Sequence, residues 1–167
     1  MSWARAAYRS RQFFGALRAQ VGEGERAEVA AHLTPAEQAL FHSMEVSDQR
    51  HALDVLRMLK AKGQADASLL AAALLHDVGK GRISVWQRVV VVLLNAVSPR
   101  LLRRLASGDG RGWRGALARS LDHAERGAAL AEAAGSAPET VRLIRLHRAP
   151  AGDDAALAML QTADEAS

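Results

Sequence analysis

Ala72-Ala73-Leu74-Leu75-His76-Asp77-Val78-Gly79-Lys80 is an apolar helical run that ends on two ligand-type side chains and a glycine. Asp66 or Ser68 can cap the helix, Leu69 to His76 forms its body, and Gly79 with Gly81 ends it. This spacing predicts His76 and Asp77 at a helix C-terminus. Neighbouring helical side chains point about 100° apart. An aspartate at 77 can bridge two ions, which an asparagine or an alanine could not.

Helix punctuation continues in both directions. Upstream, Thr34-Pro35-Ala36-Glu37 reads as an N-cap, a proline at the first helical position and a capping-box glutamate, so a helix runs from there past Phe41. Ser47 can cap another helix, in which His51, Val55, Leu56 and Leu59 share an apolar stripe until Gly63 stops it. Downstream, helices are expected over 84–97, 99–105, 113–120, 122–134, 138–147 and 154–165. The Gly108–Gly112 loop is the expected flexible point, and Ala149-Pro150-Ala151-Gly152 links the last two helices.

Composition agrees with an all-α fold. Apolar residues make up 49% of the 167 residues and aromatics only 4%, so alanine, leucine and valine supply the packing, which suits closely approaching helices. The chain is expected to form a single-domain helical bundle over residues 34–167, preceded by a basic amphipathic helix within residues 1–33. That leading segment sets Arg5, Arg9, Arg11 and Arg18 among Trp3, Tyr8, Phe13, Phe14 and Leu17. It reads as a surface helix docked by one face, or as a surface for a membrane or a partner.

With no cysteine, a disulfide framework and thiolate-ligated zinc or iron–sulfur centres are excluded, and any metal must sit on imidazole and carboxylate. The net charge of +4 favours anionic ligands without choosing among them. The apolar run Val89 to Leu94, like every other in the chain, is far below the roughly 20 residues of a membrane span, so no span and a cytoplasmic location are expected.

Six histidines occur, and four of them, His51, His76, His123 and His147, fall in helices with strong apolar faces. One such histidine is more often a satisfied core residue than a ligand. Four suggest convergence on a divalent ion, with carboxylates to cancel part of its charge. His32 and His42 fit no such pattern and read as surface or cap-region residues.

His51, His76-Asp77 in its leucine-rich segment, and Asp164 in Leu160-Gln161-Thr162-Ala163-Asp164 resemble the HD superfamily of metal-dependent phosphohydrolases, in order and spacing, over about residues 45–165. The resemblance implies that His51, His76, Asp77 and Asp164 hold one metal. His123, in Asp122-His123-Ala124-Glu125-Arg126-Gly127-Ala128, and His147, in Leu143-Ile144-Arg145-Leu146-His147, match the two extra histidines of the two-metal members. It therefore implies two divalent ions, drawn from Mn, Fe, Mg or Zn, bridged by Asp77. The implied reaction is attack on phosphorus by a hydroxide held between the metals, on a phosphomonoester or phosphodiester such as a nucleotide or another small phosphate ester.

Lys80 resembles the family's phosphate-facing lysine, and Arg50, Arg145 and Arg148 are further candidates for substrate phosphate. His147 is followed by Arg148-Ala149-Pro150-Ala151-Gly152, not by the acidic and glycine-tyrosine-proline signature of the cyclic-dinucleotide phosphodiesterases. Nothing marks a ppGpp-specific loop or the long insertions of deoxynucleotide triphosphohydrolases, and nucleic acid is an unexpected partner.

Two other readings stay open at this point. The same six ligands serve di-iron oxygenases in some similar proteins, which oxygen uptake by iron-loaded protein would reveal. An HD scaffold can also bind a nucleotide or a partner without catalysis, a reading that metal-dependent turnover of a phosphate ester would exclude.

Overall fold

The structure is a computed structural model in which residues 22–81 and 122–167 are described. The described residues form seven α-helices and no strand: α1 (Glu23–Ala30), α2 (Pro35–Ser43), α3 (Val46–Ala61), α4 (Ala67–Leu75), α5 (His123–Ala133), α6 (Pro138–Leu146) and α7 (Ala155–Ala166). A 3₁₀ turn, Val78–Lys80, follows α4. The helices expected over 84–97, 99–105 and 113–120, the Gly108–Gly112 loop and the basic stretch Met1–Val21 lie outside the described residues.

Local chemistry sets most helix ends. Thr34 accepts from the Glu37 amide while Glu37 Oε2 accepts from the Thr34 amide at 2.8 Å, closing the capping box of α2. Asp66 caps α4 through the Leu69 amide at 2.8 Å, and Asp154 caps α7 through the Leu157 amide at 3.0 Å. Gly63 and Gly135 follow α3 and α5 in the left-handed region, at φ 78° and 80°, where a side chain is strained.

Two boundaries differ from the sequence reading. Helix α3 opens one residue before Ser47, with Glu45 as its N-cap, because Glu45 carbonyl accepts from Asp48 and Gln49 amides. Helix α4 ends at Leu75 with His76 as its C-cap, before either glycine, and Lys80 amide then bonds Asp77 carbonyl at 3.0 Å to form the 3₁₀ turn. The tightening keeps both Val78 and Gly79 buried.

The centre of the bundle is α4. It is apolar all round, and every residue from Leu69 to Leu75 is buried, as a helix without a polar face must be. Helices α2, α3, α6 and α7 all contact it. Phe41, Leu53, Leu56, Leu59, Leu143, Ile144 and Leu160 fill the space around it with no exposure of 2% or more. The residues that end α4 therefore emerge in the middle of the described helices.

Helix α1, within the segment read as basic and amphipathic, is itself acidic at its start, with Glu23 and Glu25. It buries Val29 in the common core. Glu25 and Glu28 pair with Arg50, Arg57 and Lys60 on α3. No helix of the described residues is long and apolar enough to cross a membrane.

Candidate metal centre

Five helices deliver six side chains to one point. His51 comes from the middle of α3, His76 and Asp77 from the end of α4, His123 from the first residue of α5, His147 from the C-cap of α6 and Asp164 from the last turns of α7. The approach of α5 to the turn after α4 depends on glycine. A Cβ at Gly79 would lie 1.9 Å from the His123 carbonyl oxygen and 2.5 Å from the Gly127 nitrogen, and one at Gly127 would lie 3.3 Å from the Gly79 nitrogen. Only glycine at 79 lets the turn approach α5 closely enough to set Asp77 beside His123, while at 127 a side chain would be tight.

Asp77 stands between two halves of the cluster. Its Oδ2 lies 3.5 Å from His76 Nε2, and its Oδ1 lies 3.6 Å from His123 Nε2. On one side, His51, His76 and Asp77 offer ligand atoms within 4.8 Å of one another; on the other, Asp77, His123 and His147 do the same. Asp164 completes the first side, with Oδ1 2.7 Å from His51 Nε2 and 3.5 Å from His76 Nε2. On the second side, the Nε2 atoms of His123 and His147 are 3.1 Å apart.

The outer nitrogens of three rings are anchored. His76 Nδ1 donates to the Ala73 carbonyl at 3.0 Å and His147 Nδ1 to the Ile144 carbonyl at 2.7 Å. A carbonyl only accepts, so the proton of each neutral ring sits on Nδ1 and the Nε2 lone pair faces the cluster. His51 Nδ1 lies 3.2 Å from Ser167 Oγ. His76 Nε2 is buried and has no hydrogen-bond partner, since both of its carboxylate neighbours stand at 3.5 Å. A polar atom left in that state is costly, and a divalent cation is the partner that this donor set of imidazoles and carboxylates fits.

The electrostatics point the same way. Burial pushes the Asp77 carboxyl up, but His76, Lys80 and His123 together hold it well below the usual carboxylate range. Burial likewise opposes ionisation of Asp164, and His51 and His76 outweigh it. Burial disfavours a charged His76, yet Asp77 and Asp164 raise it above the ordinary imidazole value. Burial and the neighbouring His76 charge depress His147 to about 4. The cluster thus contains two committed anions, whose field favours the protonated form of His76, and at least one neutral imidazole, His147.

The residues expected to meet phosphate are placed differently from one another. Lys80 Nζ donates to Asp77 Oδ2. Arg50 is paired with Glu25, and Arg145 lies 3.1 Å from Glu125 and 3.7 Å from Glu132. Arg148 is exposed, makes no ion pair among the described residues, and lines a cavity of about 500 Å³ beside His147 and Asp164. Neither Arg50 nor Arg145 lines that cavity. His32 is partly exposed and His42 exposed, both outside the cluster.

Sequence reasoning missed two supporting residues, Gln161 and Ser167. Gln161 Nε2 donates to the His147 carbonyl at 3.0 Å and to the Ala149 carbonyl, tying the end of α6 to α7. Both stand three residues from Asp164, one on each side, so helical spacing carried the signal.

A family model described as HD domain matches residues 42–165, a span that takes in all six side chains. Comparison with curated proteins and with solved structures returns no match. With its helical fold, its His-Asp pair at the bundle centre and that match over most of its length, the chain belongs to the HD domain family, whose superfamily is that of metal-dependent phosphohydrolases.

Proposed function

We propose that this protein is a metal-dependent phosphohydrolase that cleaves a small phosphomonoester or phosphodiester and works with two divalent ions. The observation that carries the reading is Asp77, whose two oxygens face different halves of one histidine cluster. His51, His76, Asp77 and Asp164 would hold one ion, and Asp77, His123 and His147 the other. Bound there, the ions would lower the pKa of the attacking water and offset charge on the phosphoryl oxygens.

The chain's own residues do the rest. The Ala73 and Ile144 carbonyls fix the rings of His76 and His147 so that no reorientation is needed on loading. Lys80 screens Asp77 and supplies a cation at the cluster's edge, and Arg148 offers one at the neighbouring cavity. These cations favour a phosphate substrate over an uncharged organic one, which is why hydrolysis is preferred to oxygen chemistry on the same ligands.

The test is turnover of p-nitrophenyl phosphate and bis(p-nitrophenyl) phosphate across a panel of divalent metals, with wild type and Asp77→Ala. Metal-dependent hydrolysis by wild type, abolished in Asp77→Ala together with metal binding, supports the reading. Full activity in Asp77→Ala contradicts it.

A further inference from the structure

Lys80 lies three residues after Asp77, and in a 3₁₀ turn side chains at that spacing eclipse one another. Its Nζ donates to Asp77 Oδ2. This is the oxygen that stands 3.5 Å from His76 Nε2, and so faces the half of the cluster that holds His51, His76 and Asp164. The pair straddles the protein surface, for the Asp77 side chain is 3% exposed and that of Lys80 26%. The turn is closed by the Lys80 amide on the Asp77 carbonyl at 3.0 Å, so its backbone does not depend on the side-chain pair. Of the chain's 22 lysines and arginines only three are lysines, at 60, 62 and 80.

Resting on the two-ion part of the phosphohydrolase reading, we infer that the Lys80 ammonium and a divalent ion compete for Asp77 Oδ2, so that Lys80 is an internal cation which the ion of that half must displace. If both stayed, one oxygen would carry a monovalent and a divalent cation a few ångströms apart. At the effective dielectric of a partly buried site, their repulsion outweighs one charge-assisted hydrogen bond. Lysine suits this exchange and arginine does not. An ammonium is a strongly hydrated point charge on a flexible stem, so it can leave Oδ2 towards water through its exposed side. A guanidinium would span both carboxylate oxygens as a planar fork. The opposite role is a lysine that orients Asp77 for the ion, as groups behind metal ligands do; its loss would weaken metal binding about 10–100-fold. The two roles differ in sign.

The experiment measures binding of manganese(II) and zinc(II), each added alone, to chelator-stripped full-length wild type, Lys80→Met and Lys80→Arg by calorimetry, with melting curves of the stripped and loaded forms. Lys80→Met should bind its first ion at least about tenfold more tightly than wild type, since no charge-assisted hydrogen bond has to be broken. Lys80→Arg should bind about tenfold more weakly. Stripped Lys80→Met should melt below wild type and the gap should close on loading, because the affinity gained equals the stability lost in the stripped form. Should Lys80→Arg fail to fold, the sign in Lys80→Met and the closing of its melting gap still decide. A Lys80→Met that binds no tighter than wild type, or a folded Lys80→Arg that binds as wild type does, overturns the displacement and leaves the two-ion reading standing. A wild type and a Lys80→Met that take up neither ion overturn both.

Discussion

Gly79 and His123 touch backbone to backbone: a single carbon added to Gly79 would stand 1.9 Å from the His123 carbonyl oxygen. The contact fixes the distance between the turn that carries Asp77 and the helix that begins with His123. Gly79→Ala must push α5 away from that turn, at a cost of about 3 kcal/mol or more in unfolding free energy. Chemical denaturation checks the loss, and metal titration of the surviving folded fraction should show weakened binding on the His123 side.

Glu37 is a buried carboxylate that ties together distant parts of the chain. It accepts from the Thr34 amide and hydroxyl and from Ser136 Oγ at 2.6 Å, 99 positions away. Glu37→Ala removes the capping box and leaves Ser136 without its acceptor, so a destabilisation of about 1–3 kcal/mol is expected. Ser136→Ala alone should cost about 0.5–1.5 kcal/mol. Thermal or urea unfolding separates the two.

Gln161 should act on the site through His147. Its amide holds the carbonyls at 147 and 149, whereas a Gln161→Glu carboxylate would face them with two acceptors. Metal affinity should fall by about 10–100-fold, as for other groups that orient ligands. An unchanged binding isotherm would show that the α6 end is held without it.

Metal uptake should depend on pH with a defined sign. His76 is raised in the metal-free protein, so its protonated form stabilises the fold fully below the ordinary imidazole value near 6.5, and that stability is lost as pH rises through the raised value. His147, depressed to about 4, has the opposite sign: its contribution is present above about 6.5 and is lost as pH falls towards 4. A bound ion replaces the His76 proton. Loading near neutral pH should therefore release a proton, and the stability gained on loading should grow as pH rises. Calorimetry in buffers of different ionisation enthalpy reads the first effect and paired melting curves the second; loading without proton release would contradict the account.

Much of this was legible in the sequence, for physical reasons that differ by region. The α2 capping box at Thr34 and Glu37 and the Gly63 stop are local, so spacing alone revealed them, and it narrowed the α4 cap to Asp66 or Ser68, of which Asp66 is the one that bonds. The convergence of His51, His76, His123 and His147 was inferred from histidines on apolar stripes and from the family resemblance. Ion pairing across helices was not legible. Nothing local to Arg50 announces Glu25, 25 residues earlier, and Arg145 meets Glu125 only because α5 and α6 lie side by side. The close approach at Gly79 was hidden for the same reason: in sequence it looked like a helix stop, and only the position of α5 gives it its role.

The central claim is that Asp77 joins two ion sites in one cluster, and metal stoichiometry tests it most directly. Elemental analysis of purified wild type, His147→Ala and Asp77→Ala, each first shown to be folded by circular dichroism, should give about two, about one and no equivalents of bound divalent metal. One equivalent in wild type, or two retained in Asp77→Ala, would contradict it.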